Sequence, residues 1–96
     1  MYSVIYQPQA ENDLIDILVY YTEQGGYTLG ESIFDRIKTH IDRLDRFPYR
    51  TTESETILEA REFLIEKLPY KAYVLVEEDT KTVRVLRILH TSKKTP

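Results

Sequence analysis

The spacing of apolar positions changes character twice along the chain and divides it into three stretches. Residues 2–6 are a short β-branched and aromatic run, a first strand that Pro8 must end or border. The period then becomes helical: Ala10, Leu14, Ile17, Leu18 and Tyr21 fall at i, i+4, i+7, i+8 and i+11, one apolar stripe, with Glu11, Asp13, Asp16 and Glu23 placed elsewhere. Pro8 suits a first turn, and acids near that end complement the helix dipole. Gly25 and Gly26 stop the helix. Thr28 and Glu31 then have capping-box spacing, which predicts a second helix opening there. Ile33, Ile37, Ile41 and Leu44 carry its stripe towards Phe47, and Pro48 ends it. So short a connection makes the two helices an antiparallel hairpin.

Residues 49–59 show no clear period and are expected to form a loop, with at most a turn of helix, that crosses to the last stretch. From residue 60 to 94 the period is two, and three strands are expected. Tyr70, Ala72, Val74 and Val76 alternate with Lys71, Tyr73, Leu75 and Glu77; Val83, Val85, Arg87 and Leu89 alternate with Arg84, Leu86, Ile88 and His90. The polar EEDTKT between them has hairpin length, so these two runs pair antiparallel. The closing TSKKTP is expected to be mobile. The expected architecture is α+β, one domain over residues 1–96: a two-layer arrangement in the order β-α-α-β-β-β, with an antiparallel sheet packed against a helical hairpin.

Composition narrows the function classes. A hydrophobic fraction of 42% in 96 residues supports one folded core. Without cysteine there is no disulfide framework or thiolate metal site, which fits a reducing compartment, and the cytoplasm is the expected location. No signal-peptide pattern and no apolar run of membrane-spanning length is present, so no membrane partner is expected. The formal charge of −3 and the pI near 5.4 argue against a protein that lives on a phosphate backbone. The charge is uneven, however: residues 3–31 hold acids and no Lys or Arg, while the last strands are basic.

Candidate chemistry therefore gathers on the sheet, at Arg61, Lys71, Tyr73, Arg84, Arg87, His90 and Lys93. His90 could act as acid or base, as imidazoles often do; its plainer role is to cap a strand end or bond a tyrosine. Lys71 and Arg87 could meet a phosphate or an acidic partner, or could simply line a solvated face. Arg61 reads more simply as an ion-pair partner for the many acids. His40 reads as a surface residue of the second helix. Asp13 and Asp16 have no companion ligands for a metal, and Gly25–Gly26 lacks the rest of any nucleotide motif, so no cofactor is expected. Eight tyrosines suit half-buried packing and a protein interface.

Three segments together, AENDLIDILVYY, DRIKTHIDRLDRFP and REFLIEKLPYKAYVLVEEDTKTVRVLRILH, resemble the RelE/ParE superfamily of toxins from type II toxin–antitoxin pairs across nearly the whole chain. The long hairpin and the ending VLRILHTSKK are more similar to the ParE branch. That resemblance implies a growth-arresting toxin that inhibits DNA gyrase. It implies a cognate antitoxin whose C-terminal segment folds on the toxin, and contact with operator DNA only through that antitoxin. The RelE branch implies instead a ribosome-dependent endoribonuclease with Lys71, Arg87, His90 and Lys93 as its catalytic groups. Against that branch, Lys71 stands where RelE-like members commonly have Arg, and Lys93 stands in for an Arg that often follows the His. A member that retains only antitoxin binding is a third alternative.

Overall fold

A computed structural model describes residues 1–92. Its elements are β1 (Ser3–Tyr6), α1 (Pro8–Gly25), α2 (Tyr27–Asp42), a 3-10 turn (Arg43–Asp45), β2 (Thr52–Glu53), β3 (Arg61–Leu64), β4 (Tyr70–Glu77) and β5 (Thr82–His90). The expected two-layer α+β order is present, with both helices on one face of the sheet. Ala10, Leu14 and Ile17 of α1 and Ile37 and Ile41 of α2 meet Ala72, Val74, Val83, Val85 and Ile88 in a single buried cluster. The expected mobile tail lies, beyond Ser92, outside the described residues.

The sheet differs from expectation in three details. It is mixed rather than wholly antiparallel, in the order β1-β5-β4-β3-β2, because β1 runs parallel to β5. A parallel neighbour needs a long connection, and the helical hairpin with the β2–β5 meander supplies it. Without β1 the nine-residue β5 would be an open edge. The second detail is β2, two residues inside the expected loop, pairing Thr52 with Glu62 and Glu53 with Arg61. It is too short and too polar to show a period.

The third is a bulge. Val74 pairs with Val85 and Tyr73 with Arg87, so Leu86 is an extra residue in β5. Strict alternation placed Arg87 with Val83 and Val85. The bulge instead brings Ile88, opposite Ala72, into the core and sends Arg87 to the far face with Arg84.

The capping box at Thr28 does not form. Gly26 at φ 95° closes α1 through its N–H to Thr22 O (2.8 Å) and also serves as the N-cap of α2, which has no side-chain cap. A one-residue connection leaves Thr28 already inside the helix. Gly26 meets the positive φ at little cost.

The far face of the sheet is partly roofed. Ile57, in the β2–β3 loop, lines one depression together with Leu86 and Arg87 of β5. Since β4 lies between β3 and β5, the loop crosses over β4. Tyr73 of β4 faces that side and is fully buried.

At the β4–β5 turn, the Glu78 carboxylate accepts from Tyr49, Tyr2 and Lys81, tying three parts of the chain. Those hydrogen bonds, Tyr49's first, hold its pKa down at about 2 against an ordinary 4.5. A depressed carboxylate contributes stability that is present above its unfolded pKa and lost as pH falls through its folded one. The melting temperature difference between wild type and Glu78→Gln is therefore expected to be constant above pH 5 and to shrink between about pH 4.5 and 2. Parallel Tm curves across that window would show that the carboxylate does nothing.

Candidate functional site: a basic sheet face with its cations engaged

The far face carries Lys71, Tyr73 and Leu75 of β4 opposite Leu89, Arg87 and Arg84 of β5. Alternation on β4 and the bulge on β5 thus place three of the candidate cations on one surface, and each already has a carboxylate. Lys71 Nζ lies 3.2 Å from Glu62 Oε1, Arg84 Nε 2.7 Å from Glu77 Oε1, and Arg87 Nε 2.9 Å from Asp13 Oδ2. Arg87 makes a second bond, Nη2 to Asp13 Oδ1 at 3.1 Å, giving the bidentate geometry that a guanidinium offers a phosphate. Here the helix α1 supplies the anion instead.

The electrostatics agree with the contacts. Arg87 is raised above its ordinary pKa by Asp13, against the opposing effect of desolvation. The Lys71 ammonium is also raised, first by the Tyr73 hydroxyl beside it and then by Glu62, again against desolvation. Both stay charged at any pH the cell reaches. Neither can serve as a base near neutrality. The Lys71 ammonium sits 5.2 Å from the Tyr73 ring centroid, and the buried Tyr73 hydroxyl has no well-formed hydrogen bond among the described residues.

His90 is not part of this surface. It pairs with Tyr70, whose face is the helix face, and its ring packs edge-on against Tyr70 at 5.5 Å. Its Nδ1 accepts from the Ser92 N–H at 3.2 Å and lies 2.8 Å from Ser92 Oγ. The strand-end cap is therefore the role the geometry gives it. Burial and then the Tyr21 hydroxyl raise the Tyr70 phenol well above its usual range.

Arg61 begins β3 and faces the helix side, opposite Val74. Its Nη2 donates to Thr51 O at 2.8 Å, and the guanidinium lies 5.2 Å over the Tyr49 ring. It braces the chain that enters β2, through a carbonyl and an aromatic ring rather than through an acid. Lys93 lies outside the described residues.

Of the four groups expected to share one reaction, the three that are described are thus not assembled around one point. Lys71 and Arg87 are neighbours, both neutralised, and His90 is on the opposite side of the sheet. Among the described residues there is no group of three or more His, Cys, Asp or Glu that could hold a metal ion. No helix there is long and apolar enough to cross a membrane.

A different charged surface escaped the sequence reading. Arg43, Arg46 and Arg50 line a depression of about 640 Å³ between the end of α2, the 3-10 turn and β3, over Phe47, Phe63 and Leu64. Their spacing of three and four residues was a signal, but one that also fits a solvated helix end.

Solved structures share this fold. A chain of the chromosomal ParDE toxin–antitoxin system from P. aeruginosa superposes with a TM-score of 0.84 at 23% identity, covering 94% of this chain and 96% of that one. The RelBE2 toxin–antitoxin complex from Mycobacterium tuberculosis gives 0.66 at 18% identity, covering 93% and 96%. The intact E. coli RelBE complex gives 0.66 at 11%, covering 92% and 94%. At these identities the likeness is one of fold. No curated protein matches the sequence. The family described as ParE toxin of type II toxin–antitoxin system, parDE, matches residues 4–95, nearly the whole chain, and the protein belongs to that family.

Proposed function

We propose that this toxin acts by binding DNA gyrase and halting replication, without hydrolytic chemistry of its own, and that a cognate antitoxin neutralises it. The observation that carries the reading is the state of the far sheet face. A metal-free ribonuclease needs a base, cations free to meet the phosphorane charge, and an acid near one point. Here Lys71 and Arg87 are occupied by Glu62 and Asp13, Tyr73 is roofed, and His90 faces the other way. The ParE family match and the higher TM-score to the ParDE chain than to the RelBE chains lend further support. A gyrase target places the protein in the cytoplasm, and contact with operator DNA falls to the antitoxin.

The test is pulse incorporation of labelled thymidine and methionine after induction without antitoxin. DNA synthesis is expected to fall first, with translation still running. Immediate loss of methionine incorporation would overturn the gyrase reading in favour of RNA cleavage, and growth without arrest would mean that only antitoxin binding survives. Lys71→Ala separates the first two again: toxicity is expected to stay within about twofold of wild type, whereas a catalytic lysine would lose about 100-fold or more.

A further inference from the structure

We infer that the depression lined by Arg43, Arg46 and Arg50 holds a strand of DNA with its bases unpaired, the phosphates on the arginines and one base on the stack that Phe47 and Arg50 make. This rests on the gyrase reading above and gives the toxin a hold on the DNA that gyrase works on. The antitoxin keeps its part at the operator, because phosphate contacts carry no sequence.

Three observations converge there. The first is a set of arginines that the fold leaves unused. Arg84 and Arg87 are paired with carboxylates, and Arg61 braces the chain through Thr51 and Tyr49. Arg43, Arg46 and Arg50 are exposed and have no carboxylate partner among the described residues. Local structure brings the three together. Arg43 opens the 3-10 turn, where side chains three residues apart eclipse, so Arg46 leaves the chain on the same side. The Phe47 N–H then reaches Arg43 O at 3.4 Å and the Arg50 N–H reaches Phe47 O at 3.1 Å, and this second turn carries Arg50 back to the same depression.

The second is an aromatic platform among those cations. Phe47 is 51% exposed, and the Arg50 guanidinium lies over its ring at 4.5 Å. A guanidinium on a ring is a stack that a nucleobase extends, whatever the base. The half-buried Phe63 adds an apolar wall, and about 640 Å³ is room for a small ligand such as a nucleotide unit. A duplex hides its base faces and would leave Phe47 idle.

The third is local charge. Of the acids lining the depression, Asp42 accepts from the Tyr6 hydroxyl at 2.7 Å and Glu66 faces His40 at 3.9 Å, so Asp45 alone is left to oppose three guanidinium groups. On a chain of net charge −3 the resulting hold on phosphate is weak and salt-sensitive, suited to DNA that gyrase brings to the toxin. An enzyme that changes DNA topology must break strands, and unpaired bases at a break are the form this surface fits. An acidic peptide would use the arginines but not the stack, which is why nucleic acid is the occupant.

The probe is labelled oligothymidine of about 12 nucleotides, bound to the purified toxin and read by fluorescence anisotropy. For wild type, the logarithm of the binding constant is expected to fall with the logarithm of salt at a slope of about −2, the value for three phosphates of a single strand. Arg43→Gln, Arg46→Gln and Arg50→Gln combined are expected to weaken binding about 10-fold or more and to flatten that slope. Phe47→Ala is expected to weaken it about 10-fold while leaving the weaker binding of duplex DNA within about twofold. Melting curves of these exposed-site variants are expected to match wild type, and the wild-type salt slope needs no variant at all. In a gyrase supercoiling assay the triple variant is expected to need about tenfold more protein for the same inhibition. No binding by wild type at about 20 mM salt, a slope near zero, or variants within about twofold of wild type would overturn the inference, and gyrase inhibition by wild type would still uphold the gyrase reading. Oligouridine bound about tenfold more tightly than oligothymidine would give the surface to RNA and overturn it. Loss of antitoxin affinity in the triple variant with oligothymidine binding unchanged would give the arginines to the antitoxin and overturn it as well. Oligothymidine bound as described, with no inhibition of gyrase by wild type, would support the surface and sink the gyrase reading.

Discussion

Asp13→Ala is expected to destabilise the fold by about 3 kcal/mol, a fall in Tm of roughly 15 °C for a domain of this size. One carboxylate does three things at once. It accepts Nε and Nη2 of Arg87 and, through Oδ2 at 2.9 Å, the backbone N–H of Ile88. That N–H is available because β1 pairs with β5 only as far as Val85, where Gln7 makes the last bond before Pro8 turns the chain into α1. Asp13, one and a half turns into the helix, takes over the edge that the strand has left. With side-chain exposures of 13% for Asp13 and 27% for Arg87, solvent screens the pair only in part. Removing the acid strands a donor and a guanidinium together, whereas Arg87→Leu leaves Asp13 its bond to Ile88 and is expected to cost about half as much. A double-mutant cycle in urea measures the coupling. A loss below about 1 kcal/mol for Asp13→Ala would mean that the bulge is held by packing alone.

The same pair shows where a sequence stops speaking. Asp13 and Arg87 are 74 residues apart, and nothing local to either predicts the other. The candidate cations were legible as residue types on alternating strands, but their carboxylates were not, so an engaged face read like an available one. Stripes such as Ala10, Leu14 and Ile17 were legible because a helical period is a local property. Pro8 and Gly25 marked the ends of α1 for the same reason, whereas α2 ends at Asp42 and its 3-10 turn at Asp45, ahead of the expected stop at Pro48. The bulge left a trace: Val85 and Ile88 are both core residues three apart, an odd spacing that a regular strand does not allow. The β2–β3 loop held a subtler one, the apolar pair Ile57 and Leu58 in a polar segment. Ile57 turned out to reach β5, while Leu58 is 90% exposed. Thr28 misled because capping spacing says nothing about whether the preceding helix has left room.

That crowded connection gives the second large effect, Gly30→Ala, expected to lower stability by about 2 kcal/mol, or roughly 10 °C in Tm. Gly30 is buried on α2 where it crosses α1. A Cβ built there would lie 2.2 Å from Thr22 Oγ1, 2.8 Å from Leu18 O and 3.1 Å from Thr22 N. Two of those atoms are backbone and cannot rotate aside, so the helices must separate. The separation outweighs the gain of about 1 kcal/mol that alanine brings to a helix. Gly25→Ala is the control, for its Cβ would meet only the Leu29 side chain, which can turn away. Thr22→Ala is expected to be nearly neutral alone, because the Thr22 hydroxyl is buried without a partner among the described residues. Combined with Gly30→Ala it removes the nearest clash and leaves the Leu18 carbonyl, so it is expected to recover less than half of the loss. Full recovery would show that the hydroxyl alone set the distance between the helices. A stabilised Gly30→Ala would show that the hairpin is free to open, and the apolar stripe of α2 would then not be held against the sheet by this crossing.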